Sequence, residues 1–310
     1  MTPRILVIGT AGIDLIAEIS RIPAYGKPQK ERNYEYQPGG KAAVAAHTVA
    51  NFEGEAILCS VVGHDTHGSK LYELFRDRGI DTRYISVDRK SKTPLSIVLA
   101  EKNGSIRTIS YPGASKKLSS SDVEKAFNCY PNAVYMTLDI PEQVAVEATQ
   151  AAKKLGIPVF VDAVGAGPDF PFEELENVEI FMASDEEILM HTDIDPKGYH
   201  ASLRACTALS KMVSSQFYII KFEDGGVFAY DGVKFDLLAP CEVSVVDESG
   251  AWDVFGGALM TEYLQTKDIR RSCEFAKVAA AVSRTKKGGF PSAPTLDDIA
   301  GFIRDNKIDL

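Results

Sequence analysis

The stretch that can do chemistry most directly is 247–257, where small residues at 249–251 separate an apolar run from a helical pattern. The apolar run, 243–246, predicts a buried strand, and 254–264 predicts a helix. Unpaired backbone N–H groups at the start of such a helix, with the positive end of its dipole, form an anion site. Asp253 lies in the first turn, where its carboxylate can take a proton from a nearby hydroxyl. An anion site beside a base is what phosphoryl transfer to an alcohol requires, whereas the simpler alternative is that Asp253 only caps the helix.

Two further segments place polar groups where a ligand could bind. Gly39 and Gly40 precede an alanine-rich helical pattern that begins at Lys41, so backbone can approach a ligand closely and N–H groups can point at it. Asp14 follows the first apolar run, 4–9, near the end of a strand where ligands bind in open parallel sheets. Each signal has a structural alternative, since helix packing explains the small residues and an Asx-turn explains the aspartate.

The elements that must position these residues follow from an alternation of apolar runs and helical patterns. Strands of the main sheet are predicted at 4–9, 56–62, 133–138, 158–162, 180–183 and 217–221. Such alternation predicts a mostly parallel sheet with helices on both faces, and right-handed crossovers bring the loops to one edge. We expect one domain over residues 1–310. Its small β lid takes strands from about 15–36 and 94–110, with a hairpin turn at Asn103-Gly104.

The composition limits the class of protein. The 310 residues are 45% apolar and 25% charged, which is typical of a soluble globular protein. A net charge of −9 argues against nucleic acid or an anionic membrane as a partner. Five scattered cysteines without a C-x-x-C pair fit reduced thiols rather than a disulfide framework or a zinc site. With no leader pattern and no apolar run of membrane-spanning length, we expect a cytoplasmic protein.

The stretch 247–257 reads D-E-S-G-A-W-D-V-F-G-G. It resembles the C-terminal signature D-T-x-G-A-G-D-x-F-x-G of the ribokinase-like (PfkB) carbohydrate kinases. Two positions depart from that signature, because Glu248 replaces the threonine and Trp252 replaces the second glycine.

The N-terminal half carries a second resemblance to the same family. Its signature G-G-x-x-x-N is matched at Gly39 and Gly40, while Val44 replaces the asparagine that contacts the sugar. The turn at 63–68 is similar to the family's G-x-D-x-x-G. The resemblance covers nearly the whole chain, in the same order and spacing.

The resemblance implies a fold and a reaction. The fold is a ribokinase-like three-layer α/β sandwich, with a mostly parallel central sheet, helices on both faces and a small β lid. The reaction is transfer of the γ-phosphoryl group of ATP, with Mg²⁺, to a hydroxyl of a sugar or sugar-like alcohol. Asp253 is then the general base, and the implied anion hole is the backbone of Gly250, Ala251, Trp252 and Asp253. The implied sugar-binding residues are Asp14, Gly39, Gly40, Lys41 and Asp139. Many relatives are homodimers, and we expect a homodimer here.

The match is weaker on the nucleotide side. Of the family's N-x-x-E, only Glu187 is kept, with an indirect role in Mg²⁺ binding, and in the [TK]-x-G-x-x-G turn Glu223 replaces a glycine. The implied nucleotide-binding residues are Ser184, Glu187, Lys221, Glu223, Gly226 and Lys277. A loop for a monovalent cation such as K⁺ is implied at Asp247, Ser249, Arg284, Lys287 and Gly289. Because Glu223 and Glu248 add negative charge near a polyanion, we expect an unusual donor site.

Three functions remain open from the sequence. The first is an ATP-dependent kinase of a sugar or a similar small alcohol. The second is a sugar-binding relative whose ATP site is degenerate and whose kinase activity is low. The third is a kinase of a nucleoside. A panel of acceptors in an ATP-consumption assay distinguishes them.

Overall fold

A computed structural model describes residues 2–31, 33–101 and 106–308. In chain order its strands are β1 Arg4–Ile8, β2 Gly12–Ile19, β3 Asn33–Gly39, β4 Glu55–Gly63, β5 Ile85–Asp88, β6 Leu95–Glu101, β7 Ile106–Tyr111, β8 Ala133–Thr137, β9 Val159–Asp162, β10 Val178–Ser184, β11 Ser215–Lys221, β12 Val227–Tyr230 and β13 Phe235–Leu238. Its α-helices are α1 Lys41–Asn51, α2 Thr66–Asp77, α3 Ser120–Ala126, α4 Glu142–Leu155, α5 Asp185–Thr192, α6 Tyr199–Leu209, α7 Ala251–Thr266, α8 Ile269–Arg284 and α9 Leu296–Asn306. Within the described ranges, no helix has the length and apolar character needed to cross a membrane.

The central sheet has nine strands in the order β13-β12-β11-β10-β9-β8-β1-β4-β5. The strands from β11 to β5 pair in parallel, and β12 and β13 add an antiparallel edge. Both faces are covered, because Ile5 and Val7 of β1 pack with α1, α7 and α8 while Leu6 and Ile8 pack with α4 and α6. Parallel strands buried on both faces require the continuous apolar runs seen in the sequence. The predicted three-layer α/β arrangement is confirmed.

A second, four-stranded sheet has the order β3-β2-β6-β7, and we call it the small sheet. Its strands fall near the ranges predicted for the lid, although β2 already begins at Gly12 and β3 extends to Gly39. The hairpin turn predicted at Asn103-Gly104 lies outside the described residues. Across the small sheet, Asp14 pairs with Ser96, and Ser96 pairs with Ser110. Two expectations stay predictions: that residues 1–310 form a single domain, and that the small sheet is its lid.

The buried strand predicted at 243–246 is wrong. The segment forms no strand, and Val245 and Val246 are 50% and 63% exposed. Among the described residues β13 is the edge of the central sheet, and the segment does not pair with its free side. Instead the Val246 N–H donates to the carbonyl of Arg284, at the end of α8. Apolar content alone did not predict burial here, because the burial of a short run of valine and serine depends on which elements pack beside it.

Candidate active site

The polar residues singled out in the N-terminal and C-terminal halves line one cavity of about 360 Å³. They reach it from different elements, Asp14 from β2, Lys41 from the start of α1, Asp139 from the loop after β8, and Asp253 from the first turn of α7. The cavity lies at the carboxyl ends of β1 and β8, where open α/β sheets bind ligands. Four ionisable groups that are far apart in the sequence therefore share one enclosed space.

The glycine pair before α1 is required by close backbone contacts. Gly40 has φ of +95°, and a side chain there would overlap the carbonyl of Thr10. A side chain at Gly39 would overlap the carboxylate of Asp14. The pair therefore lets the start of α1 approach both the cavity and the first loop, as the prediction of close backbone approach required.

The start of α7 has the turn-and-helix backbone expected of the predicted anion site. Gly250 is the N-cap residue, with φ of +75° in the left-handed region that favours glycine, and α7 begins at Ala251. Gly250 has no side chain to cap the helix, and the Ala251 N–H donates to the Glu248 carbonyl at 3.2 Å, which leaves the next N–H groups of the helix for a ligand. Asp253 is the third residue of α7, and no side-chain capping hydrogen bond is present there, so the alternative that Asp253 only caps the helix gains no support.

Asp253 is half-buried in the cavity wall, and the desolvation of its carboxyl group raises the pKa of that group to about 7. The positive charge of Lys41 opposes that shift, whereas the negative charge of Asp162 adds to it. A carboxyl group with a pKa near 7 is suited to general-base catalysis, because it is partly ionised at neutral pH and still basic enough to accept a proton.

Lys41 supplies the positive charge at the centre of the cavity. Burial alone would lower the pKa of its ammonium group, but the charges of Asp253 and Asp139 outweigh burial and raise that pKa above its ordinary value. Asp14 is also affected, since burial raises its pKa while a hydrogen bond from Ser96 and the charge of Lys41 act in the opposite direction. Lys41 therefore stays charged in the same cavity as the carboxylates of Asp14, Asp139 and Asp253.

Asp139 is oriented by a hydroxyl two residues earlier. Thr137 Oγ1 donates to Asp139 Oδ1 at 2.7 Å. The Asp139 main chain is fixed too, because Thr10 Oγ1 lies 3.4 Å from its carbonyl. A carboxylate held in this way can accept hydrogen bonds from a ligand hydroxyl without reordering its own side chain.

The rest of the cavity wall is part hydroxyl and part hydrocarbon. The small sheet contributes Ser96 and Ser110, next to Asp14, while Ile13 and Val44 form an apolar patch. Val44 occupies the position where the sequence lacked an asparagine. The arrangement suits a compact polyhydroxyl ligand with at least one less polar side.

On the nucleotide side, Ser184 and Glu187 form a capping box at the start of α5. The Ser184 hydroxyl accepts from the Glu187 N–H at 3.2 Å, and the Glu187 carboxylate accepts from the Ser184 N–H at 2.8 Å. Burial raises the pKa of Glu187, and the positive charge of Lys221 partly opposes the shift. Ser184 therefore replaces the family asparagine without leaving the helix uncapped.

Lys221 is placed differently from the expectation of a side chain directed at phosphate. Its ammonium group contacts Asp162 Oδ2 at 2.6 Å, and both side chains are at most 2% exposed. Tyr135 donates to the same oxygen at 3.3 Å. Asp162 was not identified from the sequence, although it stands at the carboxyl end of a buried strand, which is the signal that had identified Asp14.

The turn after β11 shows why its non-glycine residue is tolerated. The positive φ in this turn, +95°, is at Gly225, whereas Glu223 has no such requirement and its side chain points into solvent. The Gly226 N–H donates to the side chain of Asp224, and the Glu223 N–H to Asp185. Glu223 is consequently an exposed charge and not a backbone defect.

The two departures in the C-terminal signature are also accommodated. Glu248 pairs with Arg284 at 3.0 Å, so its charge is compensated within the protein. The indole of Trp252 packs edge-on against Phe255, with ring centroids 5.5 Å apart. Trp252, Arg284 and Lys277 border a cavity of only about 10 Å³, so this part of the donor side is nearly filled by the chain's own atoms. Lys277 itself pairs with Glu274, a neighbour on α8, at 2.7 Å.

The predicted cation loop brings its residues together around Asp247. The Asp247 carboxylate accepts from the N–H groups of Ser249 and Gly288, at 2.8 and 2.9 Å. The Ser249 carbonyl accepts from the Gly289 N–H at 2.7 Å. The Lys287 side chain leaves this loop and lies 3.5 Å from a carboxylate oxygen of Glu18 and of Glu35 on the small sheet. The oxygens of this loop that are suited to a cation are therefore the Asp247 carboxylate and the main-chain carbonyls, among them that of Arg284. Elsewhere in the ranges described, no three His, Cys, Asp or Glu side chains are grouped to hold a metal ion.

Comparison with known proteins identifies the family. The model of the pfkB family of carbohydrate kinases matches residues 2–296. A ribokinase of Arabidopsis thaliana is 26% identical over 311 residues, covering 97% of this chain and 81% of that protein. A ribokinase of Haemophilus influenzae is 25% identical over 305 residues, covering 98% and 99% of the two chains.

The fold comparison agrees. The solved structure of the Arabidopsis thaliana ribokinase complexed with ribose and ATP has a TM-score of 0.88 to this chain at 25% identity, covering 98% of this chain and 99% of that one. The predicted ribokinase-like fold and the predicted class, an ATP-dependent carbohydrate kinase, are confirmed at the level of the family. Because the family model matches far more than half of the residues, this chain belongs to the pfkB family of carbohydrate kinases.

Proposed function

We propose that this protein transfers the γ-phosphoryl group of ATP to a hydroxyl of a sugar or sugar-like alcohol bound in the 360 Å³ cavity. The observation that carries the proposal is the half-buried Asp253, whose pKa is raised to about 7, in one cavity with Asp14, Lys41 and Asp139. A base of matched pKa beside a charged hydroxyl-binding site and a helix N-terminus is the equipment of an alcohol phosphotransferase.

Each residue then has a stated task. Asp14 and Asp139 accept hydrogen bonds from the acceptor's hydroxyls, and Gly39 and Gly40 let the backbone approach the acceptor. Asp253 takes the proton of the attacking hydroxyl. As that oxygen bonds to the γ-phosphorus, the bond from this phosphorus to the bridging oxygen breaks and ADP leaves, while free N–H groups at the start of α7 stabilise the charge on the phosphoryl oxygens.

The residues of the donor side fit a nucleotide held by its phosphates. Mg²⁺ that accompanies ATP neutralises phosphate charge, and it characteristically keeps waters and few protein ligands, which agrees with an indirect role for Glu187. Ser184, Lys221, Glu223, Gly226 and Lys277 remain proposals as nucleotide-binding residues. The nearly filled space beside Trp252 is the one observation that favours the alternative of a sugar-binding protein with weak ATP use.

The main-chain oxygens of the cation loop support binding of K⁺ as a proposal. Asp247 anchors the loop that ends at Gly250, so an ion there would order the start of α7 electrostatically. The measurement is turnover in K⁺ compared with tetramethylammonium at equal ionic strength. Equal rates would remove the ion from the proposal.

A homodimer is proposed from the outer face of the small sheet. Tyr36, Leu15, Ile97 and Ile109 pair in one row across its four strands. Tyr36 and Ile109 are 52% and 50% exposed. Unpaired apolar sheet faces of this kind commonly mark association sites. Light scattering that gives the mass of a monomer at micromolar concentration would overturn this proposal.

The acceptor and the donor are tested together. A coupled ATP-consumption assay over pentoses, hexoses and nucleosides is expected to show turnover with a sugar. Turnover only with nucleosides would favour the nucleoside kinase. A sugar that raises the melting temperature without turnover would favour the non-catalytic relative. No stabilisation and no turnover with any acceptor would contradict the proposal.

A further inference from the structure

The side chain of Arg284 is a cation that the proposed reaction has not used. It extends from the last turn of α8 and is only 9% exposed. Its Nη2 donates to the Glu223 carbonyl at 2.7 Å and to Glu248 Oε1 at 3.0 Å, while Nη1 donates to the Asp224 carbonyl at 3.1 Å. A buried guanidinium is thus held at three points, two of which are neutral.

Arg284 lies between the two segments proposed to hold the donor phosphates. On one side is the turn 223–226, where Gly225 is so close that a side chain at that position would overlap the guanidinium. On the other side is the start of α7, since Ala251 and Trp252 border the same 10 Å³ cavity as Arg284. Only glycine fits at position 225 while Arg284 keeps this position.

Within the described part of the chain, Glu248 is the one carboxylate paired with Arg284. The two carbonyl groups fix the position of the guanidinium but carry no net charge, and the Glu248 side chain is 58% exposed. The exposed carboxylate can return to solvent, but the buried guanidinium then needs another anion, since an unpaired buried charge is costly. The anchored guanidinium would then offer a full positive charge and a planar set of donors that match phosphate geometry.

We propose that Arg284 is a ligand of the nucleotide phosphates, and that it exchanges Glu248 for a phosphate oxygen when the nucleotide binds. The inference rests on the proposed function, because it requires a nucleotide in the donor site. It gives the departure at Glu248 a role: Glu248 competes with the nucleotide for one cation.

Nucleotide binding can be followed without turnover, because the chain contains a single tryptophan. Trp252 borders the same small cavity as Arg284, so its fluorescence reports on this site directly. MgATP and MgADP are titrated into the full-length protein without sugar, and the dissociation constants are checked by calorimetry. Failure of the parent protein to bind either nucleotide would overturn both the proposed function and this inference.

Two substitutions and their combination test the exchange. We expect Glu248→Gln to tighten MgATP binding about threefold or more, since the competing charge is removed while size is kept. We expect Arg284→Gln to weaken binding by at least about tenfold, the scale of one charge-assisted hydrogen bond. In the Arg284→Gln background, Glu248→Gln should change the affinity for MgATP by less than twofold, because the guanidinium for which Glu248 and the nucleotide compete is gone.

The matched control is the ion pair between Arg271 and Glu262, which has a similar length of 2.9 Å and joins α8 to α7 away from the turn. Arg271→Gln and Glu262→Gln should leave the nucleotide affinity within twofold of the parent value. Should Arg284→Gln fail to fold, as judged by its melting curve, Glu248→Gln decides alone.

A purely structural clamp gives a different pattern. In that case Glu248→Gln weakens or leaves unchanged the binding of MgATP, and Arg284→Gln lowers the melting temperature with an affinity within twofold of the parent value. Either result, in a parent protein that does bind MgATP, would overturn the inference while leaving the proposed function intact.

Discussion

The acceptor side and the donor side of the site are built in opposite ways. On the acceptor side, Asp14, Lys41, Asp139 and Asp253 face an open cavity of about 360 Å³. On the donor side, Trp252, Lys277 and Arg284 border only about 10 Å³, and Lys221, Lys277 and Arg284 are each paired with a carboxylate of the chain. On the proposed function, the acceptor side is ready to bind its ligand, whereas the donor side exchanges internal partners before it holds a polyanion.

The largest effect expected is on the acceptor side. Asp253→Asn should lower kcat by about 10²–10⁴-fold, the usual contribution of a general base. Its size is unchanged, so sugar affinity measured by calorimetry should stay near the parent value. An amide that turned over at nearly the parental rate would mean that Asp253 is not the base.

The pH profile tests the same residue without altering it. Because the pKa of Asp253 is raised to about 7, the base is protonated and inactive below that pH. We expect kcat/KM to fall about tenfold per pH unit on the acid side of pH 7 and to level off above it. The charge of Lys41 opposes the rise in that pKa, so Lys41→Gln should move the limb to higher pH. An acid-side midpoint near pH 4, or one that does not move in Lys41→Gln, would contradict this assignment.

A smaller effect is expected at Trp252. Trp252→Gly enlarges the filled space on the donor side, and we expect MgATP to bind up to about tenfold more tightly, equivalent to about 1.4 kcal/mol. The same change places glycine in the first turn of α7 and should lower the free energy of unfolding by about 1 kcal/mol. Calorimetry and chemical denaturation measure the two effects separately. Weaker nucleotide binding would show that the indole is part of a working donor site.

The smallest effect concerns the contact that joins the small sheet to the loop beside the start of α7. Lys287, in the loop beside the start of α7, pairs with Glu18 and Glu35 of the small sheet, and its side chain is 64% exposed. Lys287→Gln should change the free energy of unfolding by no more than about 1 kcal/mol, because such pairs are screened by solvent. The loss should shrink further in high salt. A loss of several kcal/mol in denaturation experiments would mean that the small sheet is held mainly by this contact.

The parts of the site that could be predicted from the sequence are those fixed by local chemistry. Gly39 and Gly40 indicated a close approach of the backbone, and Gly250 belonged to a predicted turn. Asp14 and Asp253 were predicted to lie beside a strand end and at a helix start. The pattern of apolar runs predicted the parallel sheet, because buried strands need them. The family resemblance then supplied roles that spacing alone left open.

The parts that could not be predicted depend on contacts between distant residues. Glu248 looked like an uncompensated charge because its partner, Arg284, is 36 positions away. Lys221 looked free for phosphate because Asp162 is 59 positions away. The strand expected at 243–246 failed for the same reason, since burial is decided by whether a neighbouring strand is present.

The position of Asp14 has one more consequence. It belongs to β2 of the small sheet, whereas Asp253 belongs to α7, which packs on the central sheet. Any opening of the small sheet therefore carries a hydroxyl-binding carboxylate away from the base. On the proposed function, an acceptor with several hydroxyls would contact both carboxylates at once, whereas water has no second hydroxyl to offer Asp14. Such an enzyme would waste little ATP by hydrolysis, because the wrong acceptor cannot assemble the site that would activate it.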